Sequence, residues 1–280
     1  MSSAIRLARD TMRPLIGGQL EYQIRRGISR IIPIAHRSAH PHVAHACLWK
    51  TGSQWVRLIL SDPRMLRWSG HLPYMWNYIR DDARSRSQFQ AAPRSLALIA
   101  YAPPEQIAAL SVRDDTRCFF VVRDPRKMLV SWYYSTRYTH RSTPAIEAHR
   151  AAVHGQGDAE AFSYFARAFV AEFGPIFEGW SNTGENALVV RFEDLTGPEG
   201  LTVWRQVLDH LDWRAPKTTL ERVLDTYSIE KLAPSRRGYA KEDKYAMRGQ
   251  RDLSLLETLD PINPAQKLLF EWGQRYGYDQ

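Results

Sequence analysis

The chain has 280 residues, 44% of them hydrophobic and 24% charged, which fits a folded protein with one large core and excludes a disordered one. Its formal net charge of +8 suits anionic partners such as nucleotides, nucleic acid or anionic lipid. The two cysteines, Cys47 and Cys118, fall in predicted strands, and we expect both to be reduced core thiols rather than metal ligands. No apolar run approaches the roughly 20 residues of a membrane span.

Segments of strand and helix character alternate along the chain. This alternation predicts an α/β fold: a central parallel sheet flanked by helices on both faces, in a three-layer sandwich like that of P-loop NTPases. The predicted strands are 42–49, 64–69, 95–101, 117–122 and 186–191. The predicted helices are 54–61, 73–82, 103–111, 126–138, 160–180, 199–212, 216–225 and 263–276. Residues 139–158 and 233–254 are polar and predict mobile loops.

The N-terminal part of the chain intersperses arginines with isoleucine and leucine. We expect residues 1–41 to form a basic helical extension within a single domain that spans residues 1–280. An amphipathic helix over residues 4–34 would either pack on its own domain or lie on a membrane surface. A cytoplasmic location is expected, with peripheral contact at the inner membrane face as the open alternative.

A first candidate site is the segment L-W-K-T-G-S-Q-W-V at residues 48–56, which predicts a strand, a tight loop and a helix. Lys50, Thr51, Gly52 and Ser53 fill the loop. Backbone N–H groups, two hydroxyls and an ammonium at a helix N-terminus are suited to a phosphate-like anion. The loop is not a Walker A motif, because its lysine precedes the glycine. The alternative interpretation is an ordinary turn with a surface lysine.

A second candidate site is V-V-R-D-P-R-K-M-L-V-S-W-Y-Y at residues 121–134. A buried strand is predicted to end at Val122, and Pro125 suits the start of a helix. Arg123 can bind a phosphate with two parallel hydrogen bonds, and Ser131 adds a hydroxyl donor about two turns later. The alternative is a plain helix start with Asp124 near its N-terminus.

The two segments, in this order, resemble the nucleotide-binding motifs of sulfotransferases that use 3′-phosphoadenosine 5′-phosphosulfate (PAPS). The family patterns are roughly K-[ST]-G-[ST]-x-W and R-[ND]-P-x-[DE]-x-x-x-S-x-[YW], from which Lys127 departs. Weaker similarity continues in R-F-E-D-L (191–195), Y-S-I-E-K-L (227–232) and M-R-G-Q-R-D-L (247–253). The resemblance runs from about residue 42 to residue 280. It implies a bacterial-type member with the P-loop-like fold of the cytosolic sulfotransferases.

The resemblance implies a set of residues that bind PAPS. They are Lys50, Thr51, Gly52, Ser53, Gln54, Trp55, Arg123, Ser131, Phe192, Ser228, Arg248 and Gly249. The loop at residues 51–54 would hold the 5′-phosphate, and Trp55 would stack on adenine. Phe192 stands where the family often has a tyrosine, and Ile229 replaces an aromatic residue, so some adenine contacts would be lost.

The catalytic residues implied by the resemblance are Lys50 and a general base. Lys50 would neutralise the charge on the leaving phosphate. Many members have the base as a histidine after the third strand, where this chain has Tyr101, whose usual pKa near 10 makes it a poor base at neutral pH. Other branches have a glutamate after the second strand, and the matching stretch here contains His71. We expect His71 to be the base, with Tyr101 and Asp62 as alternatives.

The implied reaction is transfer of a sulfuryl group from PAPS to a hydroxyl or amine by in-line displacement, without a metal ion. Aromatic residues near the motifs suit a carbohydrate, phenol or lipid-like acceptor. No nucleic-acid-binding pattern is present, so no nucleic acid partner is expected. Two alternatives stay open: a catalytically degenerate sulfotransferase fold that binds nucleotide or acts as a scaffold, and, further off, a P-loop kinase.

Overall fold

Five parallel strands form the central sheet. They are β1 (His42–Cys47), β2 (Leu72–Met75), β3 (Ser95–Ala100), β4 (Thr116–Val122) and β5 (Ala187–Arg191). Their order across the sheet is β2-β3-β1-β4-β5, so β1 lies in the middle. The computed structural model describes residues 32–76, 91, 93–108, 116–140, 142–181, 183–184, 187–228, 231–232, 253–260 and 262–278.

Ten α-helices lie within this described part of the chain. They are α1 (Ser53–Leu60), α2 (Pro63–Leu66), α3 (Pro104–Ala108), α4 (Pro125–Tyr134), α5 (Pro144–Ala152), α6 (Asp158–Ser181), α7 (Phe192–Thr196), α8 (Gly200–His210), α9 (Lys217–Thr226) and α10 (Pro264–Arg275). A π-helical turn, Ser135–Thr139, extends α4, and a 3-10 helix covers Leu253–Thr258.

The helices cover both faces of the sheet. Successive side chains of a strand point to opposite faces, so a strand covered on both sides is apolar throughout. In β1, Ala44 and Ala46 join the core beneath α4, α6 and α10, whereas Val43 and Cys47 join the core beneath α1 and α8. The predicted three-layer α/β architecture is therefore confirmed.

The strand register brings the ends of four strands to one edge of the sheet. Ala46 of β1 pairs with Ala100 of β3, and Cys47 pairs with Val121 of β4. Val122 in turn pairs with Arg191 of β5. The residues that follow these strands therefore share the carboxyl edge, where parallel α/β proteins bind their ligands.

Two predicted elements are wrong, and both lie between β1 and β3. The predicted strand 64–69 is instead the one-turn helix α2, which starts at Pro63 and is capped by Asp62, whose side chain accepts a hydrogen bond from the Arg64 N–H at 2.8 Å. The first residues of the predicted helix 73–82 belong to β2 instead, and residues 77–82 lie outside the described part of the chain. Pro73 is compatible with β2 because this strand lies at the edge of the sheet.

The predicted loop 139–158 is also wrong in part, because it contains helix α5. Thr143 caps α5 by accepting a hydrogen bond from the Ile146 N–H at 3.3 Å. Most of the second predicted loop, 233–252, lies outside the described residues, as do residues 1–31 of the predicted extension. Residues 32–41 contain no helix, and the Ser38 hydroxyl donates to the Leu211 carbonyl at 2.8 Å. Among the described residues, no helix combines the length and apolarity needed to cross a membrane.

Two buried histidines make the fold sensitive to acid. His45 in β1 stacks on Phe119, and neither of its ring nitrogens has a hydrogen-bond partner within the described part of the chain. Burial lowers the pKa of His45 to about 3. Burial also lowers the pKa of His71 to about 4. Because the unfolded chain binds protons from about pH 6.5 downward and the native state does not, the free energy of unfolding should fall as the pH decreases.

The expected loss is about 1.4 kcal/mol per histidine at pH 5.5, measured by urea unfolding between pH 8 and pH 5. Replacing His45 by leucine should remove its share of the loss and raise stability at neutral pH, because an unpaired buried polar group disappears. The matched control is His154→Leu at an exposed position, which should leave the acid loss unchanged. Equal pH profiles for His45→Leu and the wild type would contradict this account.

Candidate functional site

The loop after β1 has an unusual backbone. Lys50 has φ 70° and Gly52 has φ 74°, both in the left-handed region that most side chains avoid. Gly52 is the residue before α1, and no described side chain caps this helix. The first N–H groups of α1 therefore face the loop as uncapped donors, which is the arrangement that binds anions at helix N-termini.

Two further contacts shape this loop. The Thr51 hydroxyl donates to the Leu48 carbonyl at 2.7 Å and so stabilises the turn itself. A Cβ atom at Gly52 would lie 2.3 Å from Cε2 of Phe192, which is far too close for any side chain. Glycine is therefore required here both for its backbone conformation and for the close approach of Phe192.

Phe192 and Trp55 form an aromatic pair beside the loop. Their rings meet edge to face, with the ring centroids 6.2 Å apart. The Trp55 indole N–H donates to the Tyr227 carbonyl at 2.8 Å, and the Tyr227 hydroxyl donates to Asp62 at 3.0 Å. The indole is thus fixed in place from two elements distant in sequence.

Arg123 brings the second motif to the same place. Its Nη1 donates to the Lys50 carbonyl at 3.1 Å, and its guanidinium lies 5.4 Å from the centre of the Phe192 ring. Its Nε is 3.5 Å from Oε1 of Glu193, and this buried Nε has no hydrogen-bond partner among the described residues. The ends of β1, β4 and β5 therefore converge on one guanidinium.

The remaining predicted binding residues differ in burial and in position. Ser131 is buried in α4, and the Asp124 side chain caps that helix by accepting from the Arg126 N–H at 2.9 Å. Gln54 is exposed and accepts from Arg57 Nε at 2.9 Å. Ser228 follows Tyr227 directly, next to the Trp55 contact. Arg248 and Gly249 lie outside the described residues.

His71 is not at this site, and the prediction that it follows a strand is wrong. It precedes β2, and Leu72 pairs with Ser95, which itself pairs with His42 at the start of β1. His71 therefore lies at the amino edge of the sheet, about 17 Å along the strands from the end of β1. Its ring is buried, with Nε2 donating to the His40 carbonyl at 2.9 Å and Nδ1 accepting from Trp213 at 3.1 Å.

The other two candidate bases differ in position. Tyr101 follows β3 at the carboxyl edge, and its hydroxyl lies 3.1 Å from the Ser53 hydroxyl, within hydrogen-bond distance. Asp62 is buried, and hydrogen bonds from Arg64 and Tyr227 outweigh burial and hold its pKa below the usual value. Asp62 therefore stays an ionised structural group that supports the Trp55 side of the site.

Two residues near the site were missed from the sequence. His140 stacks on Trp49, with ring centroids 5.7 Å apart and an interplanar angle of 4°, and Trp49 also contacts the Tyr101 ring at 6.0 Å. The only sequence signal was a histidine in a segment predicted to be a loop. Glu193, beside Arg123, was noted only as part of the R-F-E-D-L segment. Within the described part of the chain, no group of three or more His, Cys, Asp or Glu could hold a metal ion.

Comparison with known proteins gives a result at the level of structure only. No family model and no curated protein sequence matches the chain. The structure of mouse sulfotransferase SULT7A1 complexed with PAP (adenosine 3′,5′-bisphosphate) matches this chain with a TM-score of 0.50 and 12% identity. The match covers 77% of this chain and 72% of that chain. The chain has the sulfotransferase fold.

A second structural match is retinol dehydratase in complex with androsterone and the inactive cofactor PAP. Its TM-score is 0.47 at 14% identity, over 91% of this chain and 86% of that chain. At these identities the likeness shows the fold alone. The match to SULT7A1 confirms the predicted fold, and activity has to be argued from the site.

Proposed function

We propose that this protein is a sulfotransferase that moves the sulfuryl group of PAPS to a hydroxyl or amine of an acceptor. The observation that carries the proposal is the contact between Arg123 and the Lys50 carbonyl. It joins two sequence motifs for anion binding at one edge of the sheet.

The residues present fit such a nucleotide. The start of α1 is uncapped among the described residues, and Arg123 has a buried Nε in need of a partner. We infer that the backbone N–H groups of residues 52–54 hold the 5′-phosphosulfate, and that Arg123 and Ser131 hold the 3′-phosphate. Trp55 and Phe192 would contact adenine, with Ser228, Arg248 and Gly249 completing the site. The SULT7A1 structure, complexed with PAP, supports this ligand class.

The nucleotide supplies an activated sulfuryl group and a phosphate leaving group. The role of Lys50 follows from its chemistry: a compact ammonium can donate to the leaving phosphate oxygen and stabilise the negative charge that develops there. In phosphoryl transfer a metal ion commonly supplies such positive charge. The loop hydroxyls and N–H groups hold the reacting group in line, which lowers the entropic part of the barrier.

The acceptor would bind against aromatic residues near the loop. Trp55 and Phe192 form one aromatic pair there, and Trp49, Tyr101 and His140 form a second aromatic group next to Lys50. Flat aromatic faces suit the rings of carbohydrates and phenols as well as lipid-like alcohols. We therefore propose an acceptor of one of these classes.

His140 is the general base that we propose in place of His71. An imidazole accepts a proton near neutral pH far more readily than the Tyr101 phenol does. Replacing His140 by phenylalanine keeps a ring against Trp49 but removes the nitrogen. It should lower turnover by about 100-fold or more, whereas Tyr101→Phe should cost less than about 10-fold. Steady-state kinetics at saturating PAPS measures both, and a larger loss in Tyr101→Phe would return the role to Tyr101.

The proposed activity is tested by transfer of radioactive sulfate from labelled PAPS to a panel of sugars, phenols and long-chain alcohols. We expect labelled product that depends on both PAPS and one acceptor class. PAP binding without any transfer to the panel would instead favour the alternative of a nucleotide-binding or scaffold protein. Phosphate transfer from ATP in a parallel assay would favour a kinase.

Peripheral membrane contact through residues 4–34 remains a prediction, because only residues 32–34 of this segment belong to the described part of the chain. A vesicle co-sedimentation assay with and without anionic lipid tests it. The cytoplasmic location and the lack of a nucleic acid partner also remain predictions.

A further inference from the structure

The C-terminal segment forms hydrogen bonds with residues at the carboxyl ends of β4 and β5. The Tyr278 hydroxyl donates to Oε2 of Glu193 at 2.8 Å. Arg191 donates through Nη1 to the Gly277 carbonyl at 2.9 Å, and its guanidinium lies 5.7 Å from the centre of the Tyr278 ring. Because these contacts come from two residues of β5 and α7, the Tyr278 side chain has a defined position next to the Arg123 site.

The contact between Glu193 and Arg123 is incomplete. Oε1 of Glu193 lies 3.5 Å from Arg123 Nε, too far for the short bonds of a paired carboxylate and guanidinium. Arg123 Nη1 is engaged by the Lys50 carbonyl, and Nη2 has no hydrogen bond to any described residue. An arginine and a carboxylate so close together usually form two parallel hydrogen bonds. The other carboxylate oxygen of Glu193, Oε2, accepts the bond from the Tyr278 hydroxyl.

We propose that Tyr278 is a positioning residue that holds Glu193 away from the Arg123 guanidinium. The guanidinium then stays available to a 3′-phosphate. Without the Tyr278 hydroxyl, Glu193 would turn onto Arg123 and compete with the ligand. Burial and the Glu193 charge both raise the pKa of Tyr278, so its hydroxyl keeps its proton at neutral pH. The inference rests on the proposed function, because it concerns the 3′-phosphate subsite.

The test is isothermal titration of the full chain with adenosine 3′,5′-bisphosphate (PAP) and with AMP, which lacks the 3′-phosphate. Tyr278→Phe should weaken PAP binding by about 10-fold, the size of one charge-assisted hydrogen bond, and change AMP binding by less than about twofold. Glu193→Gln alone should bind PAP at least as tightly as the wild type. In the Glu193→Gln background, adding Tyr278→Phe should cost nothing further, because the competing charge has gone.

The matched control is Tyr276→Phe. Its hydroxyl belongs to the same C-terminal turn but donates to the Phe177 carbonyl at 2.7 Å, so its loss should leave the ratio of PAP to AMP affinity unchanged. A Tyr278→Phe variant with the wild-type ratio would overturn the inference, and so would a loss of equal size in the Glu193→Gln background. A wild type that binds neither nucleotide would overturn the proposed function and the inference together. A wild type that prefers PAP while Tyr278→Phe has no effect would overturn the inference alone.

Discussion

Replacing Lys50 by alanine is expected to reduce turnover by about 100- to 1,000-fold, the usual cost of removing a group that stabilises charge in the transition state. PAP affinity should fall far less, by about 10-fold at most, because the ammonium is needed mainly when charge develops on the leaving group. Lys50→Arg should also be poor, since a planar fork cannot replace a compact donor. Steady-state turnover and calorimetry with PAP measure the two effects separately.

The control for this experiment is Lys217→Ala. Lys217 is largely exposed at the start of α9, where its closest acidic partner is Glu221 at 3.9 Å. Its loss removes the same positive charge from the protein without touching the site, and turnover should stay within about twofold of the wild type. If Lys50→Ala turned over as fast as Lys217→Ala, the assigned role of Lys50 would be wrong.

Gly52→Ala is expected to weaken PAP binding by about 100-fold and to destabilise the fold by roughly 1–3 kcal/mol. The new Cβ would lie 2.3 Å from Phe192, and the ring has little room to retreat because it packs against Trp55 and beneath the Arg123 guanidinium. Either the loop opens or Phe192 moves, and both changes displace groups that we assign to the nucleotide. Calorimetry measures the affinity for PAP, and urea unfolding measures the free energy of unfolding.

Gly155→Ala is the control that separates the cost of backbone strain from the cost of the clash with Phe192. Gly155 has φ 79°, close to the 74° of Gly52, but a Cβ there would meet nothing within 4 Å. This variant should show only the cost of alanine in the left-handed region, about 1 kcal/mol, with unchanged PAP affinity. Equal behaviour of the two variants in both assays would mean that the approach of Phe192 to Gly52 is unimportant.

Much of the fold could be predicted because the strands at the centre of the sheet are buried on both faces. Phe119-Phe120-Val121-Val122 is a continuous apolar run, and such runs are recognisable as strands of a parallel sheet. The Lys50 loop and Arg123 were recognisable for a related reason. Each directly follows one of these strands, so the prediction of the strand also placed the residue at the carboxyl edge.

The error at His71 came from the one edge strand whose sequence is ambiguous. The apolar stretch around Met65 and Leu66 looks like a strand, but the Asp62 cap and Pro63 start a helix there. The true strand, β2, contains Pro73 and has only four residues. Shifting the strand from 64–69 to 72–75 moved His71 from the end of a strand to its beginning, and so to the opposite edge of the sheet.

The contacts that organise Arg123 could not be predicted from local patterns. Tyr278 and Glu193 are 85 positions apart in the chain, and Arg123 meets Lys50 across 73 positions. Periodicity and capping describe neighbours within a few turns, whereas these bonds depend on how α7 and the C-terminal segment pack against the sheet. The stacking of His140 on Trp49 is of the same kind, because it depends on where the π-helical turn after α4 ends.

The most direct test of the central claim is to compare PAP and AMP binding to the wild-type chain by calorimetry. The claim is that Arg123 and the Lys50 loop form one nucleotide site that recognises a 3′-phosphate as well as a 5′-phosphate. A charge-assisted hydrogen bond contributes about 1.5–3 kcal/mol, so PAP should bind at least about 10-fold more tightly than AMP, with a dissociation constant in the low micromolar range or below. Equal affinities for the two nucleotides, or binding of neither, would contradict it.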